Sequence, residues 1–301
     1  MDKRPTATLA NTPWWMWFNL ISLDAVAVGC CWVVVFTREF IDRWPQPYEL
    51  GVIGLSIWLV YTADRLFDAL QLDPTKPHTH RHQFHADHQI WLSVLWLAAL
   101  VLNVALIVRC ASESQLRVGF IAVAAAITYV ASVQWTQPLC SSRIAKAIPK
   151  EVRAGIVFSF GVSLVAWSEI AELGDTGAVL PKLLIANVLA AILFTANCFA
   201  IAFWETHLDT AQGFSAFPSL VAHPRKRLVQ LLVIHLAVAG GLFYVDRLPP
   251  LLTASLVVSD LAMLMLVSFV RRDVNSPAGL LADLILVAAP AFCLIVGATG
   301  W

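Results

Sequence analysis

Three short stretches carry residues whose types and spacing can do chemistry. The first is YTADRLFDAL, in which Asp64 and Asp68 stand four residues apart. On a helix that spacing puts both carboxylates on one face. Two such carboxylates repel unless a cation or a basic group lies between them. The second stretch, FWETHLDTAQGFSA, repeats the arrangement with Glu205 and Asp209. Oxygen-only ligands suit a hard cation such as Mg²⁺, which keeps part of its water shell and bridges phosphate oxygens. The plainer alternative is a pair of solvated helix ends with Arg65 as counter-ion, and a second matching pair on the same side weighs against it.

The third stretch is SSRIAKAIPKEVRAG, with Arg143, Lys146, Lys150 and Arg153. If 149–153 is helical, Lys150 and Arg153 share a face. Cations beside an acidic metal site fit a polyanionic substrate such as diphosphate. A basic cytoplasmic loop needs no substrate, and that alternative stays open. Between the first two stretches lies HTHRHQFHADH, with His78, His80, Arg81, His82, His85 and His88. His82, His85 and His88 could gather on a helix, so zinc is conceivable. A solvated loop touching headgroups or phosphate is the favoured reading.

The elements that must position these residues are membrane helices. Of 301 residues, 59% are hydrophobic and 13% charged, against roughly 25% charged in a soluble domain. Mean hydropathy is +0.73. A span needs about 20 apolar residues, and lipid-exposed backbone must be satisfied within a helix or a closed barrel. The apolar runs here are long and continuous, without barrel alternation. They fall near 15–37, 49–67, 90–110, 116–135, 152–168, 180–204, 228–245, 250–270 and 278–300. The expected fold is therefore all-α, a single polytopic domain over 1–301 with about nine transmembrane helices. With nine spans, one set of loops carries fourteen Lys and Arg and the other six. The positive-inside rule then puts the N-terminus in the cytoplasm and the C-terminus on the opposite side. The expected location is an inner membrane of bacterial type, and no cleaved signal peptide is expected. Zero formal net charge implies no bulk attraction to nucleic acid. The six cysteines lack paired spacing and read as small hydrophobes.

Polar residues inside the expected spans are Asp24, Asn103, Asn187, Asn197, His235, Asp260 and Asp283. Intramembrane ionisable groups are functional candidates by default, and interhelical hydrogen bonding is the alternative. Asn197, two turns before Glu205, is assigned to the site; Asp260 and Asp283 are assigned to structure.

Taken together, these residues resemble the UbiA superfamily of intramembrane prenyltransferases. That family has nine helices around a central cavity and two Asp-rich motifs at the cytoplasmic ends of helices two and six. DRLFDAL followed by THRHQF is similar to the first motif through Asp64, Asp68 and Arg81. Glu205, Asp209, Gly213 and Ser215 are similar to the second, and PKEVRAGIVFSFG to the family's Lys/Arg stretch opening helix five. The leading Asn and Asp of the first motif fall on Val60 and Tyr61, and a middle acid of the second on Leu208. The resemblance covers roughly 14–300. It implies a Mg²⁺-dependent transfer of an isoprenoid chain from a prenyl diphosphate to a lipophilic or aromatic acceptor. Asp64, Asp68, Glu205 and Asp209 would hold metal. Lys150, Arg153, Arg81, Arg65 and Asn197 would bind diphosphate. Tyr61, Phe67, Phe158 and Trp204 would line the path of an allylic cation. Two alternatives share the scaffold: a terpene cyclase using the same diphosphate site, and a non-catalytic membrane binding or transport protein.

Overall fold

The structure, a computed structural model, describes residues 16–73, 75–134, 148–172, 177–212, 218, 221–270 and 277–298, without the side chains of Asp209 and Ala298. The described residues form helices and no strands. In chain order they are α1 (Trp17–Leu20), α2 (Leu23–Ile41), α3 (Pro47–Leu70), α4 (His80–Asp87), α5 (Gln89–Cys110), α6 (Glu113–Gln134), α7 (Lys150–Val162), α8 (Leu164–Glu172), α9 (Val179–Gln212), α10 (Pro224–Tyr244), α11 (Pro250–Phe269) and α12 (Ala278–Ala298). Seven are long and apolar enough to cross a membrane: α3, α5, α6, α9, α10, α11 and α12. The bent pair α7–α8 makes an eighth if counted as one span. This is the architecture of a polytopic membrane protein. Residues such as Trp91, Leu97, Val108 and Ile121 turn apolar side chains outward, as lipid-facing helices do.

The segment expected as a continuous span over 15–37 is divided. Ser22 takes a left-handed φ of 59°, which separates α1 from α2. The Trp17 ring packs edge-on against Phe84 of α4 at 5.8 Å, so α1 follows the surface helix α4 rather than the span. The helix proper starts at Leu23 and runs on to Ile41. Its centre is the heart of the fold. Trp32, Val33, Val35 and Phe36 are fully buried, and the Trp32 indole N–H donates to the Leu286 carbonyl at 3.0 Å.

The segment expected as the span 152–168 is also bent, by 52° between α7 and α8. The cause is local. Ser163 Oγ donates to the carbonyls of Ser159 and Phe160, and the Asn187 amide donates to Ser163 Oγ. A side chain inserted into the helical ladder is a common origin of a kink. The segment 69–89, expected as a loop, contains α4. Thr79 caps it by accepting from His82 N at 3.2 Å, and Phe84 packs in a small cluster with Leu20 and Leu92.

Contacts separate the two ends of the bundle. At one end Gln134 of α6 meets Asp64 of α3, Arg153 of α7 meets Ser132 of α6, and Arg81 of α4 meets Glu205 of α9. At the other, Arg43 bridges Glu49 at the start of α3 and Glu169 near the end of α8, while Lys182 of α9 meets Asp246 after α10. Glu49 also completes a capping box with Gln46, which with Pro47 fixes where α3 begins.

Candidate functional site

Asp64, Arg65, Asp68, Lys150, Arg153, Asn197, Glu205 and Arg81 all line one cavity of about 1780 Å³. Helix geometry accounts for the gathering. Asp64, Arg65 and Asp68 occupy the last two turns of α3. Lys150 and Arg153 lie on the first turn of α7, so the helical condition for their shared face is met. Glu205 lies near the end of the long α9. Arg143, Lys146, Gly213, Ser215 and the Asp209 side chain lie outside the described residues.

From this charged end the cavity extends along α3 to Tyr48 and Glu49. Glu49 and Asp68 are about 28 Å apart along a helix axis, close to a bilayer core's thickness. The walls between are largely apolar, from Ile53, Ile57 and Val60 on α3, Leu100 and Ile107 on α5, and Val123 and Ile127 on α6. The arrangement can take a molecule with an anionic head and a long apolar tail.

The acids are held differently. Asp64 accepts from Gln134 Nε2 at 3.2 Å. The same Gln134 side chain reaches Asp68, which feels the charges of Asp64, Arg65 and Lys150. Glu205 faces Arg81, whose Nη2 lies 3.1 and 3.0 Å from the two carboxylate oxygens. Asp64 and Asp68 thus form an acceptor-only pair one turn apart on the cavity wall, a donor set that fits one hard cation completed by water. The second acid pair offers only Glu205 among the described side chains, and that carboxylate is ion-paired. Among the described residues, no three His, Cys, Asp or Glu side chains cluster as metal ligands.

The histidines of α4 serve the helix. Nδ1 of His85 bonds the Arg81 carbonyl at 2.9 Å, and Nδ1 of His88 bonds the Phe84 carbonyl at 3.0 Å. Burial, reinforced by Arg81 and Arg65, pushes His82 down to about 2. Burial also pushes His85 down to about 4, against a backbone hydrogen bond to Arg81 that raises it. Both rings are neutral near neutral pH, and no zinc trio forms.

Other sequence assignments sort clearly. Tyr61, Phe67 and Phe158 line the cavity, and Tyr61 meets Phe158 edge-on at 6.3 Å. Trp204 does not line it; it packs with Phe203, Leu228 and Met263 in a separate core cluster, because its position on α9 faces α10 and α11. Asp260 is held inside the bundle: His235 Nδ1 lies 2.7 Å from its carboxylate, and His235 Nε2 lies 3.0 Å from the Leu189 carbonyl. Asp283 makes the interhelical bond expected of a structural residue and also stands at the cavity. It bonds Asn197 at 2.7 Å and lines the cavity, as does Asp24. Gln134 and Glu151, both cavity residues, escaped the sequence reading; the position of Glu151 between two cations of the basic stretch was the available signal. The five described cysteines are free. The chain matches no protein-family model, no curated protein and no solved structure.

Proposed function

We propose that the chain is a Mg²⁺-dependent intramembrane prenyltransferase, a divergent relative of the UbiA superfamily, moving an isoprenoid chain from a prenyl diphosphate to a lipophilic acceptor. The carrying observation is a single cavity that joins an acidic pair and four cations at one end to an apolar interior. The topology in this reading has nine spans. α2 is the ninth: its charges, Asp24, Arg38 and Glu39, lie near its two ends and its middle is apolar. The basic end then faces the cytoplasm by the excess of Lys and Arg.

Asp64 and Asp68 would hold the ion. When bound, Mg²⁺ offsets the diphosphate charge that grows as the carbon–oxygen bond breaks. Lys150, Arg153 and Arg65 add fixed positive charge at the same end, where departing diphosphate gathers electrons. Arg81 is already paired with Glu205, which pins α4 against α9 and keeps that guanidinium at the cavity wall. The apolar walls exclude water from the prenyl tail, and Tyr61 and Phe158 offer aromatic faces toward a cationic carbon.

The test is Mg²⁺-dependent diphosphate release from a panel of prenyl diphosphates, with protein in nanodiscs and membrane lipid extract as acceptor source. Wild type should release diphosphate and Asp68→Ala should not. Equal release by both would sink the metal role. Product analysis with the diphosphate as sole substrate distinguishes transfer from cyclisation.

A further inference from the structure

A second polar group lies in the wall of the same cavity, where α2, α9 and α12 meet. Asn197 donates through Nδ2 to Asp283 Oδ1 at 2.7 Å. Asp24 is held by the Asn19 amide and by the Ala25 backbone N–H. Asp283 feels the charge of Asp24, which Arg81 and Arg65 oppose. Asn19, Asp24, Asn197 and Asp283 line the cavity together with Tyr61.

One atom decides what this group can bind. Asn197 is only 6% exposed, and its Oδ1 is enclosed without a hydrogen-bond partner. A buried acceptor left unmatched is costly, and such atoms in native structures call for an explanation. Beside it, Asp283 has only Oδ1 engaged by Asn197. The open valences are therefore acceptors. An anion is disfavoured by the two carboxylates. What fits is an N–H or O–H donor, neutral or cationic, on a molecule whose remainder suits apolar walls.

We propose that Asn197 and Asp283, backed by Asp24, form a subsite for the hydroxyl or amino group of an otherwise apolar molecule. Its place in the reaction rests on the prenyl-transfer reading. There the bound molecule is the acceptor, and the lone pair of its neutral heteroatom forms the bond to the prenyl carbon. The carbon–oxygen bond to diphosphate breaks with its electron pair leaving on the diphosphate. The proton released by the acceptor passes to Asp283.

Binding can be tested without any diphosphate. Purified full-length protein is titrated with benzylamine, benzyl alcohol and benzoate, which share a ring and differ in the head group, and the shift in Tm is read. Benzylamine and benzyl alcohol should stabilise wild type; benzoate should not. Asp283→Asn should weaken the benzylamine response at least tenfold in apparent Kd. If Asp283→Asn does not elute as a folded species, Asp24→Asn carries the test and must weaken the amine response too. Stabilisation by benzoate equal to that by benzylamine, no shift with any of the three, or an amine response unchanged in the folded variant would each overturn the subsite. Diphosphate release without amine binding sinks this inference alone. Amine binding without release by wild type sinks only the prenyl-transfer reading.

Discussion

Arg81 and Glu205, 124 residues apart in the chain, meet through one guanidinium nitrogen that lies 3.1 and 3.0 Å from the two carboxylate oxygens. The contact ties a short surface helix to the end of the longest span. Arg81 has only 9% of its side chain exposed and Glu205 25%, so the pair is screened weakly. Glu205→Gln keeps the shape and removes the charge, leaving a largely enclosed guanidinium. The expected loss is about 2 kcal/mol, read as a lower Tm in detergent. The double variant with Arg81→Met should recover part of that loss. Additive losses would mean the two groups do not act as a pair.

The neutral histidines of α4 make its docking sensitive to acid. His82 and His85 are pushed below the usual imidazole range, to about 2 and about 4, chiefly by burial. Between about 6.5 and 4 the undocked helix binds more protons than the docked one. Stability therefore falls as pH drops through that window and is unaffected above it. Protease cleavage within 80–87, followed from pH 7.5 to 4.5, should accelerate only below about 6.5. His85→Gln, which cannot take up the proton, should flatten part of that rise; a rate independent of pH in wild type would refute the argument.

Lys150 acts in this scheme as charge rather than packing. Its place on the first turn of α7, beside the cavity, predicts a head-group effect only. Lys150→Met should weaken binding of a prenyl diphosphate about tenfold, the order expected for losing one charge-assisted contact. It should leave binding of the matching prenyl alcohol unchanged. Equal loss for both would assign Lys150 to structure.

The helical, membrane-spanning character was plain in the sequence because lipid demands long apolar runs. So was the gathering of Asp64, Asp68, Lys150 and Glu205, because helix periodicity and loop order fix which end each residue occupies. What escaped depended on tertiary contacts. The break at Ser22 comes from a left-handed residue and a ring contact between α1 and α4, and hydropathy averages over both. That Asp283 stands beside Asn197 follows from the approach of α9 and α12, which residue type and spacing do not encode. Trp204 sits close in sequence to Glu205 yet faces the core, since adjacent helical residues point about 100° apart.

Gly155 and Gly161 lie on one helix, α7, and the same substitution should have opposite signs at the two. A Cβ at Gly155 would sit 2.7 Å from the Ala191 carbonyl oxygen and 2.7 Å from the Thr195 nitrogen of α9. Those are backbone atoms and cannot yield, so α7 must move away from α9. Small residues at such crossings are how membrane helices approach closely. The same shift would carry Lys150 and Arg153 away from Glu205, so packing here reaches the site. At Gly161 an added Cβ meets nothing within 4 Å, because that face opens on the cavity. Gly155→Ala should therefore destabilise by about 1–3 kcal/mol, the usual cost of overpacking. Gly161→Ala should be neutral or gain up to about 1 kcal/mol from helix propensity. Thermal unfolding of both variants in the same detergent checks the pair. Loss at Gly161 with none at Gly155 would invert the contact between α7 and α9 and remove the reason for holding the basic turn at the cavity wall.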